Sequence, residues 1–344
     1  MEVAELKFKL QKFPRVKFLC GATPIVYAEN ISKELGVEVY IKRDDLTGLA
    51  LGGNKTRKLE FIMGEAIKQK CDTVITAGAV HSNHALQTAA AAKKLNMDVV
   101  LVLRGREEDK GNLLMNKLLN ADIHIYDVPN SSALRGYMEE IAGELSKKGK
   151  KPMIIPVGGS NPIGVLGYLG AVVEIIEQCE NLKIDFDYVV CSTSSGGTQA
   201  GIFMGFKLLK PEVATLGIGV GDPKEELVED VENLIINTSK MLDVKENLIS
   251  KKEIEERTID GYGFGGYGTI AKEVIDFIRY VAGKEGFYLD PVYTGKAFYG
   301  LIDIIKKKNI PKGSRVLFIH TGGLGGLFQY EEIISKMILN YPES

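Results

Sequence analysis

A chain of 344 residues, 45% hydrophobic and 26% charged, has the make-up of a globular protein and the length for about two domains. Its 43 Lys and Arg against 45 Asp and Glu leave a formal charge of −2 with no long basic run, which argues against a nucleic-acid surface. Four scattered cysteines without a CxxC pair, a charge-interrupted N-terminus unlike a signal peptide and no apolar run of membrane-spanning length point to a reduced, cytoplasmic protein outside the membrane.

Strand-like and helix-like patterns alternate along the chain. Residues 73–76 (TVIT) read as a buried strand, 82–95 as an Ala-rich helix, 98–103 (DVVLVL) as a strand and 111–119 as a helix. Then come a strand at 123–126, an amphipathic helix at 131–147 and a strand at 153–155. Beyond a Gly-rich stretch at 157–170 the pattern resumes: strand 188–191 (YVVC), helix 199–209, strand 215–220, helices 269–281 and 295–308, and strand 315–319 (RVLFI). Strands separated by helix-length segments imply crossovers and parallel sheets, whose ligands sit beyond the carboxyl ends of the strands.

Clusters of glycine and polar residues follow these strands. In 51–60, LGGNKTRKLE, Gly52 and Gly53 permit a tight turn and close ligand approach, and Lys55 falls at a helix start. The positive end of a helix disfavours protonation there, which suits a Schiff-base lysine; the plainer alternative is a turn with solvated lysines. The stretch 192–201, STSSGGTQAG, offers backbone N–H groups at a helix start to a phosphate monoester. It matches neither GxGxxG nor the P-loop, and is equally a polar turn capped by Thr198. In 78–87, GAVHSNHALQ, Ser82 and Asn83 either cap a helix or receive a substrate carboxylate, while His81 and His84 lack the further ligands that a metal needs. The run 261–269, GYGFGGYGT, suits a mobile loop carrying Tyr262 or Tyr267 over a cleft, or a surface loop with packed aromatics. Residues 290–296 (DPVYTGK) and 320–326 (HTGGLGG) add a turn and a glycine run, with Thr321 facing the same edge. His124 has no evident partner, and the acidic stretch 224–232 reads as a solvated helix face.

In this order, GGNKTRKLE, SNH, STSSGGT, DPVYTG and HTGGLGG resemble the pyridoxal-phosphate-dependent D-cysteine desulfhydrase and 1-aminocyclopropane-1-carboxylate (ACC) deaminase family, over nearly the whole chain from CGATPIVYAENIS to HTGGLGGLF. The resemblance implies an α/β protein of two open, twisted, mostly parallel sheets flanked by helices, the tryptophan synthase β-like fold (fold type II). Residues 1–55 and 166–344 would form the larger cofactor-binding domain and 56–165 the smaller α/β domain. Pyridoxal 5'-phosphate would be held by Lys55 as a Schiff base. Asn83 would lie beside the ring hydroxyl, and Ser195, Gly196, Gly197 and Thr198 would cradle the phosphate, with Lys58 reaching it too. Thr294 and Thr321 would stand near the pyridine nitrogen. Ser82, Asn83 and His84 would receive the substrate carboxylate, and Tyr262 and Tyr293 would line the reacting face, so that Lys55, Ser82, Tyr262 and Tyr293 are the expected catalytic residues. No metal is expected. Family resemblance and symmetry base rates imply a homodimer.

Within the family, Thr294 stands where the deaminases carry Glu, Thr321 replaces the Leu of HLGG, and His81 departs from the Gln common before SN. A hydroxyl leaves the ring nitrogen largely neutral and the cofactor a weaker electron sink. That suits expulsion of a thiolate better than opening of a cyclopropane. The expected reaction is β-elimination on a small sulfur amino acid, D-cysteine first, giving pyruvate, hydrogen sulfide and ammonia. The alternatives are ACC deamination to 2-oxobutanoate, another lyase or racemase reaction on cysteine or serine, and a catalytically idle amino-acid-binding protein. A nucleotide-binding oxidoreductase would need the GxGxxG fingerprint that this chain lacks.

Overall fold

The computed structural model describes residues 1–339; residues 340–344, assigned above to the larger domain, lie outside the described residues. Its strands are β1 (Ile25–Tyr27), β2 (Glu38–Lys42), β3 (Thr73–Ala79), β4 (Asp98–Arg104), β5 (Asp122–Tyr126), β6 (Pro152–Ile155), β7 (Tyr188–Thr193), β8 (Ala214–Gly219), β9 (Thr258–Ile259) and β10 (Arg315–Ile319). A six-stranded sheet runs β1-β2-β10-β7-β8-β9 and a four-stranded sheet runs β5-β4-β3-β6. The β1–β2 pair is antiparallel and the other pairs are parallel. Parallel strands are covered by helices on both faces, so they read as unbroken apolar runs; every residue of β3 is buried. This is the two-sheet α/β architecture that the sequence implies.

The expected strands and helices between 73 and 155 are present with their ends moved by a few residues. The Gly-rich stretch 157–170 is mostly the start of a long helix, Pro162–Leu182, begun by the Asn161 side chain, which accepts from Gly164 N at 2.7 Å. Two of its glycines, Gly164 and Gly167, are contact points. A Cβ on Gly167 would stand 2.3 Å from the Arg57 carbonyl oxygen, so this helix meets the helix Lys55–Lys68 backbone to backbone. On the other side, a Cβ on Gly201 or Gly205 of the helix Gly197–Leu209 would run into Tyr168 or Val172 at 2.4 and 2.7 Å. With helices on both sides, Pro162–Leu182 is apolar along most of its first three turns. It is therefore long and apolar enough to cross a membrane by length and composition, which corrects the expectation that no such run exists; 61% of that window is buried inside the protein. The acidic stretch 224–232 also does more than face solvent: it opens the helix Lys224–Leu242, which buries Leu227, Val228 and Val231.

The helix Lys55–Lys68 is anchored by buried charge. The Arg57 guanidinium donates to Asp44 Oδ1 at 2.8 Å and Glu174 Oε1 at 2.9 Å, Lys42 Nζ donates to Glu174 Oε1 at 2.5 Å, and Tyr168 donates to Asp44 Oδ2 at 2.7 Å. Burial pushes the Asp44 carboxyl up, but Arg57 and Lys42 beside it more than offset this and hold it below its usual range. Two cations against two carboxylates satisfy one another, as burial requires.

Candidate active site

The carboxyl ends of both sheets converge on one cavity of about 1200 Å³. Ser82, Asn83 and His84 reach it from beyond β3, Arg104 from the end of β4, and Gly158 and Ser160 from beyond β6. Residues 192–196 and Thr198 line it at and beyond the end of β7, Asp222 beyond β8, and Thr321 and Gly322 beyond β10. Lys55, Tyr267 and Tyr293 also line it.

Lys55 opens its helix behind two glycines that no other residue could replace without strain. Gly52 and Gly53 have φ of +74° and +126°, and a Cβ on Gly53 would stand 2.8 Å from Gln87 Nε2 and 2.9 Å from the Thr321 carbonyl oxygen. Thr47 Oγ1 accepts from Gly53 N at 2.7 Å and donates to Gly53 O at 2.9 Å, and Gln87 Nε2 donates to Gly52 O at 2.9 Å. Asn54 N donates to Thr321 O at 3.0 Å and Asn54 Nδ2 to Thr198 Oγ1 at 2.9 Å, which ties the lysine loop to both the β7 and β10 loops. Burial lowers the Lys55 amine to a pKa of about 8, against a smaller raising effect of its bond with Lys58.

The β7 loop passes through Gly196 at φ +73° into the helix Gly197–Leu209. The first amides of a helix have no intrahelical acceptor and lie at its positive end, where an anion is favoured. Ser160 Oγ donates to Ser195 Oγ at 2.9 Å, and Lys58 Nζ donates to Gly158 O at 3.1 Å and Ser160 Oγ at 3.4 Å. A Cβ on Gly158 would stand 2.2 Å from Ser195 Oγ, and one on Gly197 would stand 2.9 Å from Lys58 Nζ. Lys58 and Gly197 thus back the loop, while Ser195, Gly196 and Thr198 front the cavity. Burial, then the Lys55 charge, pushes the Lys58 amine well below the lysine range.

Across the cavity, Ser82 caps the helix Asn83–Lys94 by accepting from Ala85 N at 3.2 Å, and Asn83 Oδ1 accepts from Asn112 Nδ2 at 2.8 Å. The Thr76 hydroxyl donates to Ile155 O at 2.9 Å, so its oxygen receives the proton assigned to His84 Nε2, 2.8 Å away. Burial, then Lys55 and Lys58, holds His84 well below the imidazole range and so neutral. His81 turns instead to Tyr267, against which it stacks, and to the Tyr330 hydroxyl at 3.2 Å; the two histidines share no centre. Tyr293 and Tyr267 are hydrogen-bonded through their hydroxyls, and burial raises both above the usual phenol range.

Two expected residues stand elsewhere. Tyr262 is not on the cavity wall: its hydroxyl donates to Asp303 Oδ2 at 2.7 Å, and a Cβ on Gly300 would lie 3.0 Å from its ring. Tyr267, the other tyrosine of the glycine run, takes the cavity position because the loop turns inward against Gly221. Thr294 is also turned away. Its Oγ1 accepts from Asp290 N at 2.8 Å and donates to Asp290 Oδ1 at 2.7 Å, which uses the hydroxyl at the start of the helix Thr294–Lys306. Thr321 does face the cavity, with Ser192 Oγ 3.0 Å from its hydroxyl. Arg104, Ser160 and Ser192 were not singled out from sequence; only the glycines at 158 and 159 hinted at the second of these.

A buried amine with a lowered pKa, a helix start free to take a phosphate monoester, and hydroxyls between them fit pyridoxal phosphate. Comparison with known proteins agrees. Residues 16–322 match the family model described as pyridoxal-phosphate dependent enzyme. A Pyrococcus furiosus protein described as "Putative 1-aminocyclopropane-1-carboxylate deaminase" is 51% identical over 329 residues, 96% of this chain and 98% of the relative. A Pyrococcus horikoshii protein of the same description is 49% identical over the same shares. A crystal structure described as that of an ACC deaminase homologue superposes with a TM-score of 0.91 at 48% identity, over 97% of this chain and 99% of that one. The processed form of threonine deaminase isoform 2 from Solanum lycopersicum shares the fold alone, with a TM-score of 0.65 at 18% identity over 97% of this chain and 88% of that one. The chain belongs to the pyridoxal-phosphate-dependent enzyme family, with the tryptophan synthase β-like fold of type II. Its cofactor is pyridoxal 5'-phosphate, and it is a lyase of the ACC deaminase and D-cysteine desulfhydrase group.

Proposed function

We propose that this lyase eliminates hydrosulfide from D-cysteine, taking up water to give pyruvate, hydrogen sulfide and ammonia. One observation carries the choice: where β7 and β10 lie side by side the cavity presents the hydroxyl pair Ser192–Thr321, while the wall carboxylate Asp222 stands beyond β8. Asp290, beside the β10 loop, is buried and its oxygens are taken by the amides of Val292, Tyr293 and Thr294 and the Thr294 hydroxyl. Hydroxyls leave the ring nitrogen neutral, and a weaker electron sink suffices where the leaving group is good.

Bound pyridoxal phosphate supplies an aldehyde that condenses with amines and a ring that withdraws electrons from the adjoining carbon. Lys55 Nζ would hold that aldehyde, and with a pKa of about 8 the same amine, when free, would take the substrate's α-proton. Ser195, Gly196 and Thr198 hold the phosphate, with Lys58 behind them. The Asn83 side chain and the helix start at Ser82 and His84 orient the substrate carboxylate; neutral His84 adds no competing charge. Tyr293 and Tyr267 stay protonated at neutral pH and hold a proton for the departing sulfur.

The names of the relatives favour a second reading, ACC deamination to 2-oxobutanoate and ammonia. Parallel assays of sulfide and pyruvate from D- and L-cysteine and of 2-oxobutanoate from ACC separate the two. D-cysteine should give sulfide and pyruvate in equal amounts; turnover of ACC without sulfide from either cysteine would reject the proposal. Lys55→Ala should lose visible cofactor absorbance and turnover together.

A further inference from the structure

Lys296 is fully buried, yet it makes no ion pair among the described residues. Its Nζ donates to the carbonyl oxygens of Gly263 at 2.8 Å, Gly266 at 3.0 Å and Val220 at 3.3 Å. An ammonium has three donors, so three backbone carbonyls use all of them. Burial lowers its pKa to about 8, while Asp290 and Asp222 act to raise it, so the amine is charged at neutral pH. A ring of carbonyl dipoles around one positive charge is the environment that also suits a monovalent metal ion.

The position of this cage matters. Lys296 lies three residues after Tyr293, on the helix Thr294–Lys306 that Tyr293 opens. Gly263 and Gly266 belong to the glycine run that carries Tyr267. That run passes through φ of +98° at Gly265, +125° at Gly266 and +78° at Gly268, a path with little stiffness of its own. It is pressed onto the end of β8: a Cβ on Gly221 would stand 2.4 Å from Tyr267 N. The lysine therefore ties three segments together beside the cavity: the end of β8, the glycine run and the helix that bears the second tyrosine.

We infer that Lys296 is a positioning residue, a built-in monovalent cation that clamps the glycine run and thereby sets the Tyr267–Tyr293 hydroxyl pair at the cavity. The value of that pair to the reaction rests on the function proposed above; the clamp does not.

The test is amide hydrogen exchange across residues 261–269 in the cofactor-loaded protein, wild type and Lys296→Met. Each is measured in potassium, ammonium or N-methylglucamine chloride at about 0.1 M, where long-range charge effects are equally screened. Wild type should exchange at the same rate in all three. The variant should exchange at least about tenfold faster in N-methylglucamine, and potassium or ammonium, small enough to occupy the carbonyl cage, should restore protection. With an active substrate, kcat of the variant should fall and recover in the same salts while KM holds. Should Lys296→Met fail to fold, Lys296→Gln carries the same measurement. Unchanged exchange in the variant overturns the clamp, and faster exchange that neither cation reverses overturns the cation role. Neither outcome depends on which amino acid the enzyme consumes.

Discussion

Raising the pH of cofactor-free protein from about 6 to 9 should switch on capture of pyridoxal phosphate, because only a neutral amine attacks an aldehyde. Burial lowers Lys55 from 10.5 to about 8. At pH 7 an amine of pKa 10.5 is neutral in about one molecule in 3,000 and one of pKa 8 in about one in ten, so burial raises the reactive fraction about 300-fold. The lowered pKa fixes the sign: the amine is charged below about 8 and neutral above it. The rate at which visible absorbance appears on mixing should rise about tenfold per unit as pH approaches 8 and level off beyond. The cofactor phosphate has its own second ionisation near pH 6. Pyridoxal without the phosphate therefore serves as a control; its slower capture should show the same midpoint. A rate still climbing tenfold per unit beyond about pH 9.5 would mean an amine in ordinary water, and the burial argument would fail.

Gly53→Ala should place a methyl group against Gln87 Nε2 and the Thr321 carbonyl at a φ of +126°. The strain, about 1–3 kcal/mol, should weaken pyridoxal phosphate binding by about ten- to a hundredfold in a fluorescence titration; wild-type affinity would show that the loop is slack. Thr294→Val removes a hydroxyl that both accepts from and donates to Asp290. It should cost about 1–3 kcal/mol in urea unfolding while leaving the cofactor spectrum in place. A changed spectrum at unchanged stability would return Thr294 to the ring nitrogen.

Seven of the ten strands among the described residues were legible because parallel strands under helices are runs of Val, Ile and Leu; β1 and β9, of three and two residues, and β2, with charged residues at both ends, were not. The clusters after them were legible for the same reason: a parallel sheet delivers every strand end to one edge, so GGNK, SNH, SSGGT and HTGG had to meet. In two stretches glycine misled the reading. In 157–170 it signals punctuation by rule, yet Gly164 and Gly167 lie inside a helix, Gly167 where a backbone crosses. In GYGFGGYGT two tyrosines sit five residues apart in a run with no period, and only the fold chooses Tyr267 over Tyr262 for the cavity. Thr294 failed differently. A threonine at a helix start has a local partner available, and the Asp290 carboxylate took it.

The run Lys55-Thr56-Arg57-Lys58 shows how one helical turn serves two purposes. Successive side chains of an α-helix are about 100° apart, so Lys55 and Arg57 point to nearly opposite sides while Lys55 and Lys58 share one. The structure uses both faces: Lys55 borders the cavity, Lys58 backs the phosphate-type loop, and Arg57 turns into the buried carboxylates Asp44 and Glu174. Thr56 Oγ1, between them, donates to Gln87 Oε1 at 2.8 Å. The anchor must be the guanidinium and the reactive group the amine. An arginine stays charged at any working pH and can never offer a neutral nitrogen, whereas a buried lysine loses its proton readily. A slip of two residues in this helix would bring Arg57 to the cavity and leave Leu59 facing two buried carboxylates. The same desolvation that makes Lys55 reactive would then be spent on a residue that cannot use it.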